Sequence, residues 1–302
     1  MRGLALCPGG RCFKFGALGA GRFMTIDYEA EYNNRARVPD HPEIFARWER
    51  DAAAYRAEAQ EAGRAELGLA YGPTPRQTID LFCPADGAAA PLALFIHGGY
   101  WRSLAPALFS HVARGLNERG MTVAVVGYDL CPQVTIETII GQMRQACLYL
   151  WRRFGRRIFV YGHSAGGHLA ACLVATDWRA GGAEAPVDLV PAACVISGLF
   201  DLSPLAGVSM NQDLRLTLEQ ARESSPLFWP APAGRSLDAW CGALESSEFR
   251  RQNRIIVEAW GKAGVHTAGL EIPDANHFTV LDPLSDPASE LNDRLAALAA
   301  RG

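Results

Sequence analysis

Gly162-His163-Ser164-Ala165-Gly166 sets a serine between small residues two positions before and two after it. A serine hydroxyl attacks a carbonyl only when a base removes its proton and donors stabilise the oxyanion that forms. The flanks give the motif its context. Arg156-Arg-Ile-Phe-Val160 is a short apolar run rich in strand formers, and Ala165 to Ala175 is small, apolar and compatible with a helix. A serine at a sharp strand-to-helix turn is pushed outward over the first N–H groups of the helix. Ser164 is therefore the candidate nucleophile, the alternative being a turn serine that only caps the helix.

Two other loops carry matching chemistry. His97-Gly98-Gly99-Tyr100-Trp101 follows an apolar run, and a Gly-Gly loop lets backbone N–H groups approach an oxyanion closely. The N–H groups of Gly99, Tyr100 and Ala165 are the candidate donors. His97 is expected to brace this loop, since it precedes the serine, the wrong order for the base. Asp274-Ala-Asn-His277-Phe278 follows the last strand-like run, where a histidine can reach a serine across the ends of the strands, so His277 is the candidate base. His168 reads as a packed helix residue, and His41, His111 and His266 have no supporting context. A histidine base needs a carboxylate to fix its tautomer, placed between serine and histidine in the chain. Glu245, after the strand just before that of His277, is favoured. Asp201, after the preceding strand, stays open, and Glu248 reads as a first-turn acid suited to a helix dipole. Tyr100, Trp101 and Phe278 are the candidate substrate-binding aromatics, and Phe200 serves equally well as wall or core.

These loops need a scaffold that gathers them. Apolar spacing predicts a helix over 39–65 with Ile44, Phe45, Trp48, Ala52 and Tyr55 on one face. Strands are expected at 76–83, 91–96, 121–126, 158–161, 192–197, 237–243 and 266–272. Helices are expected at 105–119, 135–154, after Ser164, at 247–263 and at 288–299. Unbroken apolar strands alternating with helices predict an α/β fold with a mostly parallel sheet covered on both faces. In such a sheet the functional loops gather at the carboxyl ends of the strands. The helix at 39–65 and the irregular stretch 201–232 fall outside the alternation and are expected to form a small cap. Residues 1–23, Gly-rich and without a sustained apolar run, read as a disordered extension before a single domain spanning 24–302.

The chain of 302 residues is 49% hydrophobic and 20% charged, with a net charge of −3. That balance gives no reason to expect nucleic acid or an anionic membrane as partner. Its eight cysteines contain no Cys-x-x-Cys pair and no His/Cys spacing of a zinc site. Several lie in apolar runs, so a reducing, cytoplasmic setting without a structural metal is expected. The expected partner is a small amide or ester, and a homodimer is compatible with this reading.

On these residues the chain resembles the α/β-hydrolase superfamily, and within it the kynurenine formamidase (arylformamidase)-like branch. The marks are His97-Gly-Gly-Tyr-Trp101, Gly162-His-Ser-Ala-Gly166, Glu245-Ser-Ser-Glu-Phe-Arg-Arg-Gln252 and Asn276-His-Phe278. The resemblance implies an α/β-hydrolase fold, a triad of Ser164, Glu245 and His277, an oxyanion hole from the Gly98–Tyr100 loop, and no cofactor. Many such formamidases carry Asp where this chain has Glu245. The alternatives are a short-chain carboxylesterase and a non-catalytic ligand-binding protein of the same fold; the latter requires a lost triad member.

Overall fold

The computed structural model describes residues 26–85, 90–179 and 185–301. The segment 1–23, expected to be a disordered extension, lies outside the described residues. The chain enters through two short helices, α1 (Tyr28–Tyr32) and α2 (Asn34–Arg37), followed by the long α3 (His41–Glu61). Strands β1 (Ala65–Ala70), β2 (Thr78–Phe82), β3 (Leu92–Ile96) and β4 (Thr122–Val126) follow, with a 3₁₀ segment (Pro106–Ala113) and α4 (Arg114–Asn117) between β3 and β4. Next come α5 (Ile136–Phe154), β5 (Ile158–His163), α6 (Ala165–Val174) and β6 (Ala192–Ile196). Short helices α7 (Asn211–Leu214) and α8 (Leu218–Glu223) precede β7 (Ser236–Gly242), α9 (Ser247–Lys262), β8 (His266–Ile272) and α10 (Glu290–Ala299).

The described strands form one sheet in the order β1-β2-β4-β3-β5-β6-β7-β8, parallel from β4 to β8 and antiparallel at the β1 and β2 edge. Strand β3 shows why both faces are covered. Leu92, Leu94 and Ile96 pack into the layer holding Val160 and Leu169, whereas Ala93 and Phe95 pack into the opposite layer with Trp48 and Phe109. Alternate side chains point to opposite faces, so an unbroken apolar run requires helices on both. Strands β3, β4, β5, β6 and β7 are wholly buried; the first four are mainly apolar, and in β7 the buried Asp238 accepts from Arg294 Nε at 2.6 Å.

Three local expectations are corrected. The first long helix ends at Glu61, not 65, and residues 65–70 form an edge strand instead. Gly63, at φ 66°, turns the chain there, and the strand alternates half-buried and exposed residues too weakly apolar to announce itself. The stretch 105–119 is mostly 3₁₀, closing with the four-residue α4. The last helix begins at Glu290, where the Ser289 side chain caps it by accepting from Leu291 N–H.

The expected cap takes a more specific form. The α1–α2 segment lies over the carboxyl ends of the strands and is tied down through Tyr32, whose hydroxyl donates to Glu248 Oε2 (2.9 Å) and accepts from Gln252 Nε2 (3.0 Å). Glu31 accepts from Glu248 N–H and the Ser247 hydroxyl at the start of α9, and Glu29 accepts from Ser209 N–H and hydroxyl in the 201–232 stretch. Glu248 is thus more than a first-turn acid. It is a buried node holding both the Tyr32 hydroxyl and the Arg251 guanidinium.

Candidate active site

The turn carrying Ser164 is forced by packing on all sides. Ser164 has φ 56° and ψ −117°, a conformation L-residues rarely adopt, between the end of β5 and the start of α6. A Cβ on Gly166 would stand 1.9 Å from the Ile96 carbonyl oxygen, and one on Gly162 would stand 2.2 Å from that of Gly166. No larger residue fits either place, which is why the motif spaces its glycines around the serine. The helix behind is anchored by His168 N–H donating to the Ser164 carbonyl at 3.1 Å. Ala165 opens that helix, and the N–H groups of a first turn have no intrahelical acceptor.

The neighbouring strand β3 delivers the second loop. Gly99, Tyr100 and Trp101 all have positive φ (109°, 49° and 55°). A Cβ on Gly99 would stand 2.4 Å from the Ser103 carbonyl oxygen. The Gly99 carbonyl accepts from Arg102 N–H and the Ser103 hydroxyl, both at 3.0 Å. His97 lies between the rings of Tyr128 and Phe109, and its Nδ1–H donates to the Gly98 carbonyl at 2.7 Å. Burial holds its pKa down at about 4, so it stays a neutral brace of the loop at physiological pH.

The last two loops meet at a histidine. Nδ1 of His277 lies 2.7 Å from Glu245 Oε2, with both side chains almost wholly buried. A carboxylate only accepts, so Nδ1 carries the proton and Nε2 keeps its lone pair in the neutral ring. The other carboxylate oxygen accepts from the Ser197 hydroxyl (2.5 Å) and Gly242 N–H (2.7 Å). Glu245 is thus a buried charge met by three donors. Asp201, the alternative acid, does not approach His277. It accepts from Ser203 N–H in its own turn and faces Arg251 at 3.9 Å.

Ser164 and His277 line one pocket of about 390 Å³, together with Gly99, Tyr100 and His163. That volume suits a small organic molecule. Phe45 and Trp48 of α3, Phe109 and Phe278 supply aromatic walls, and Ser209, Met210 and Asp213 reach it from the 201–232 stretch. Trp101 is not among the lining residues, which corrects its expected contact with substrate. It is fully buried, edge-on to His168 at 4.9 Å, because the left-handed backbone at Tyr100 and Trp101 turns its indole into the core. Phe200 is core as well. His168, packed as expected, bonds the Ser224 carbonyl through Nε2 at 2.7 Å.

Three residues of the site escaped the sequence reading. His163 Nε2–H donates to the His277 carbonyl at 2.7 Å, tying the serine turn to the histidine loop. Burial, and then the nearby His277, push its pKa well below the ordinary histidine value, so it acts as a neutral strut. Ser197, at φ 51°, supports Glu245 from the end of β6; its place at the carboxyl end of a buried strand was the available signal. Asn34 Nδ2–H donates to the Tyr100 hydroxyl at 3.4 Å, while that hydroxyl donates to the Tyr32 carbonyl at 2.7 Å.

Residues 93–281 match the family model described as the α/β hydrolase fold. The chain is 27% identical to the kynurenine formamidase of Danio rerio over 231 residues, covering 73% of this chain and 77% of that one. It is 28% identical to the kynurenine formamidase of Drosophila melanogaster over 240 residues, covering 74% and 78%. A protein of Silicibacter sp. TM1040, provisionally named a thioesterase, superposes with a TM-score of 0.78 at 32% identity, covering 90% of this chain and 100% of that one. No helix among the described residues is long and apolar enough to cross a membrane. With a mostly parallel sheet, a glycine-flanked serine at a strand-to-helix turn, and a match over more than half its length, the chain belongs to the α/β hydrolase fold family.

Proposed function

We propose that the protein is a serine hydrolase in which Ser164 is the nucleophile, His277 the base and Glu245 the acid that orients it. The observation carrying this reading is the Glu245–His277 contact at 2.7 Å on the wall of the pocket that Ser164 enters. His277 Nε2 takes the hydroxyl proton as Ser164 Oγ attacks the carbonyl carbon. The N–H groups of Gly99, Tyr100 and Ala165 receive the oxyanion. His277 then protonates the leaving amine or alcohol, and water repeats the sequence to free the acyl group and restore the serine.

The substrate we propose is an aryl formamide of the N-formylkynurenine type. In such a compound the nitrogen lone pair is delocalised into the ring, which eases C–N cleavage. The aromatic walls at Phe45, Trp48, Tyr100 and Phe278 suit a flat ring, and the fish and fly relatives carry the name kynurenine formamidase. Ester or thioester hydrolysis is the second reading, favoured by the name of the Silicibacter relative at 32% identity. The deciding experiment measures kcat/KM on N-formylkynurenine beside a short-chain 4-nitrophenyl ester series, with Ser164→Ala as blank. A formamide preference of several orders of magnitude supports the first reading. Turnover of the esters alone moves the substrate to the second.

A further inference from the structure

Four charged side chains reach the pocket: Glu29, Arg35, Arg102 and Asp213. Three have partners within the fold. Arg102 Nη1 donates to Asp213 Oδ2 at 2.5 Å, and Glu29 accepts from Ser209 N–H and hydroxyl at 2.7 and 2.6 Å. Arg35 differs. Its guanidinium carbon stands 5.7 Å from the centre of the Phe45 ring, and among the described residues no carboxylate pairs with it. Phe45 is edge-on to Phe278 at 5.1 Å, and the Phe278 ring is 5.5 Å from that of His277. The unpaired cation therefore sits at one end of an aromatic wall whose other end is the candidate base.

A guanidinium over an aromatic ring keeps its in-plane N–H donors for an acceptor, and its fork matches the two oxygens of a carboxylate. One positive charge balances one negative charge, which suits a carboxylate better than a doubly charged phosphate. We propose that Arg35 is a specificity residue that binds a carboxylate on the substrate, so that the pocket selects aryl amides or esters carrying that group over their uncharged counterparts. This rests on the hydrolase reading above. Arg35 is exposed at the rim, so solvent screens it and the selection is worth roughly tenfold, not thousands.

The test separates binding from turnover. N-formyl-L-kynurenine and its carboxamide, which lacks the charge, are titrated calorimetrically at low salt into the Ser164→Ala protein, alone and combined with Arg35→Met, Arg35→Lys or Arg102→Met. The acid should bind about tenfold more tightly than the amide to Ser164→Ala. That ratio should collapse to near one with Arg35→Met, recover in part with Arg35→Lys, and persist with Arg102→Met, whose guanidinium is committed to Asp213. Equal binding of acid and amide to Ser164→Ala, or a ratio that survives Arg35→Met, would overturn the proposal. So would its loss through Arg102→Met. Hydrolysis of the same pair by the unmodified protein reads the catalytic proposal independently, since charge selection in binding does not require turnover.

Discussion

At Glu245 the site reduces to one carboxylate with three donors, and each donor does something different. His277 Nδ1 meets one of its oxygens, Ser197 and Gly242 hold the other, and burial keeps water from competing. Removing that charge should cost far more in rate than in folding. Glu245→Gln, which can present an N–H to Nδ1 and favour the wrong tautomer, should lower kcat by roughly 10³–10⁴-fold. Asp201→Ala should leave kcat within about threefold of the parent, because that carboxylate serves only its own turn and Arg251. Steady-state kinetics on one substrate decide the matter, and the opposite ranking would move the acid to Asp201. That Ser164, Glu245 and His277 each lie just after a strand, in that chain order, was legible because apolar runs mark where the strands end. The role of His163 was not, since a hydrogen bond to a backbone carbonyl leaves no spacing signal, and Ser197 offered only its place at the end of a strand.

At the scale of elements, the turn around Ser164 and the α1–α2 segment carry separable predictions. Gly166→Ala places a methyl 1.9 Å from the Ile96 carbonyl oxygen, and both neighbours are backbone, so the turn itself must move. A displacement of this size at the proposed nucleophile should lower kcat at least hundredfold, with a fall in melting temperature. Unchanged kinetics would mean that the serine does not depend on this packing. Tyr32→Phe removes a hydroxyl that bonds the Glu248 carboxylate and Gln252 together, leaving them to Arg251 and the Asp201 carbonyl alone. It should destabilise the protein by about 1–3 kcal/mol in urea unfolding, whereas no loss would show that α1 is not held through this node. The long periodic elements were readable because burial imposes a period on them. Strand β1 and the 3₁₀ segment 106–113 were not, since an edge strand is half exposed and a 3₁₀ turn shares the composition of a helix.

Across the whole molecule, buried neutral histidines should make stability depend on acid. His97, His111 and His168 are depressed to about 4 by burial, and His163 lies well below its ordinary value. Unfolding restores each to about 6.5, so below that pH the unfolded chain binds more protons than the folded one. Stability is then full above about pH 6.5 and falls as pH drops towards 4, by up to about 1.4 kcal/mol per pH unit for each such histidine. Urea unfolding at pH 7, 6 and 5 should show the midpoint falling stepwise, and a flat profile would contradict the burial of these rings as neutral groups. The α/β class and the parallel sheet followed from the alternation of apolar runs with amphipathic segments. The cap's attachment did not, because Tyr32 and Glu248 are 216 residues apart and no local pattern pairs them.

The central claim is that Glu245 and His277 activate Ser164. Its most direct test is labelling with a fluorophosphonate, followed by intact mass and peptide mapping. The account predicts one stoichiometric adduct on Ser164, none in Ser164→Ala, and labelling slowed at least a hundredfold in His277→Ala. An adduct on another residue, or undiminished labelling without His277, would contradict it.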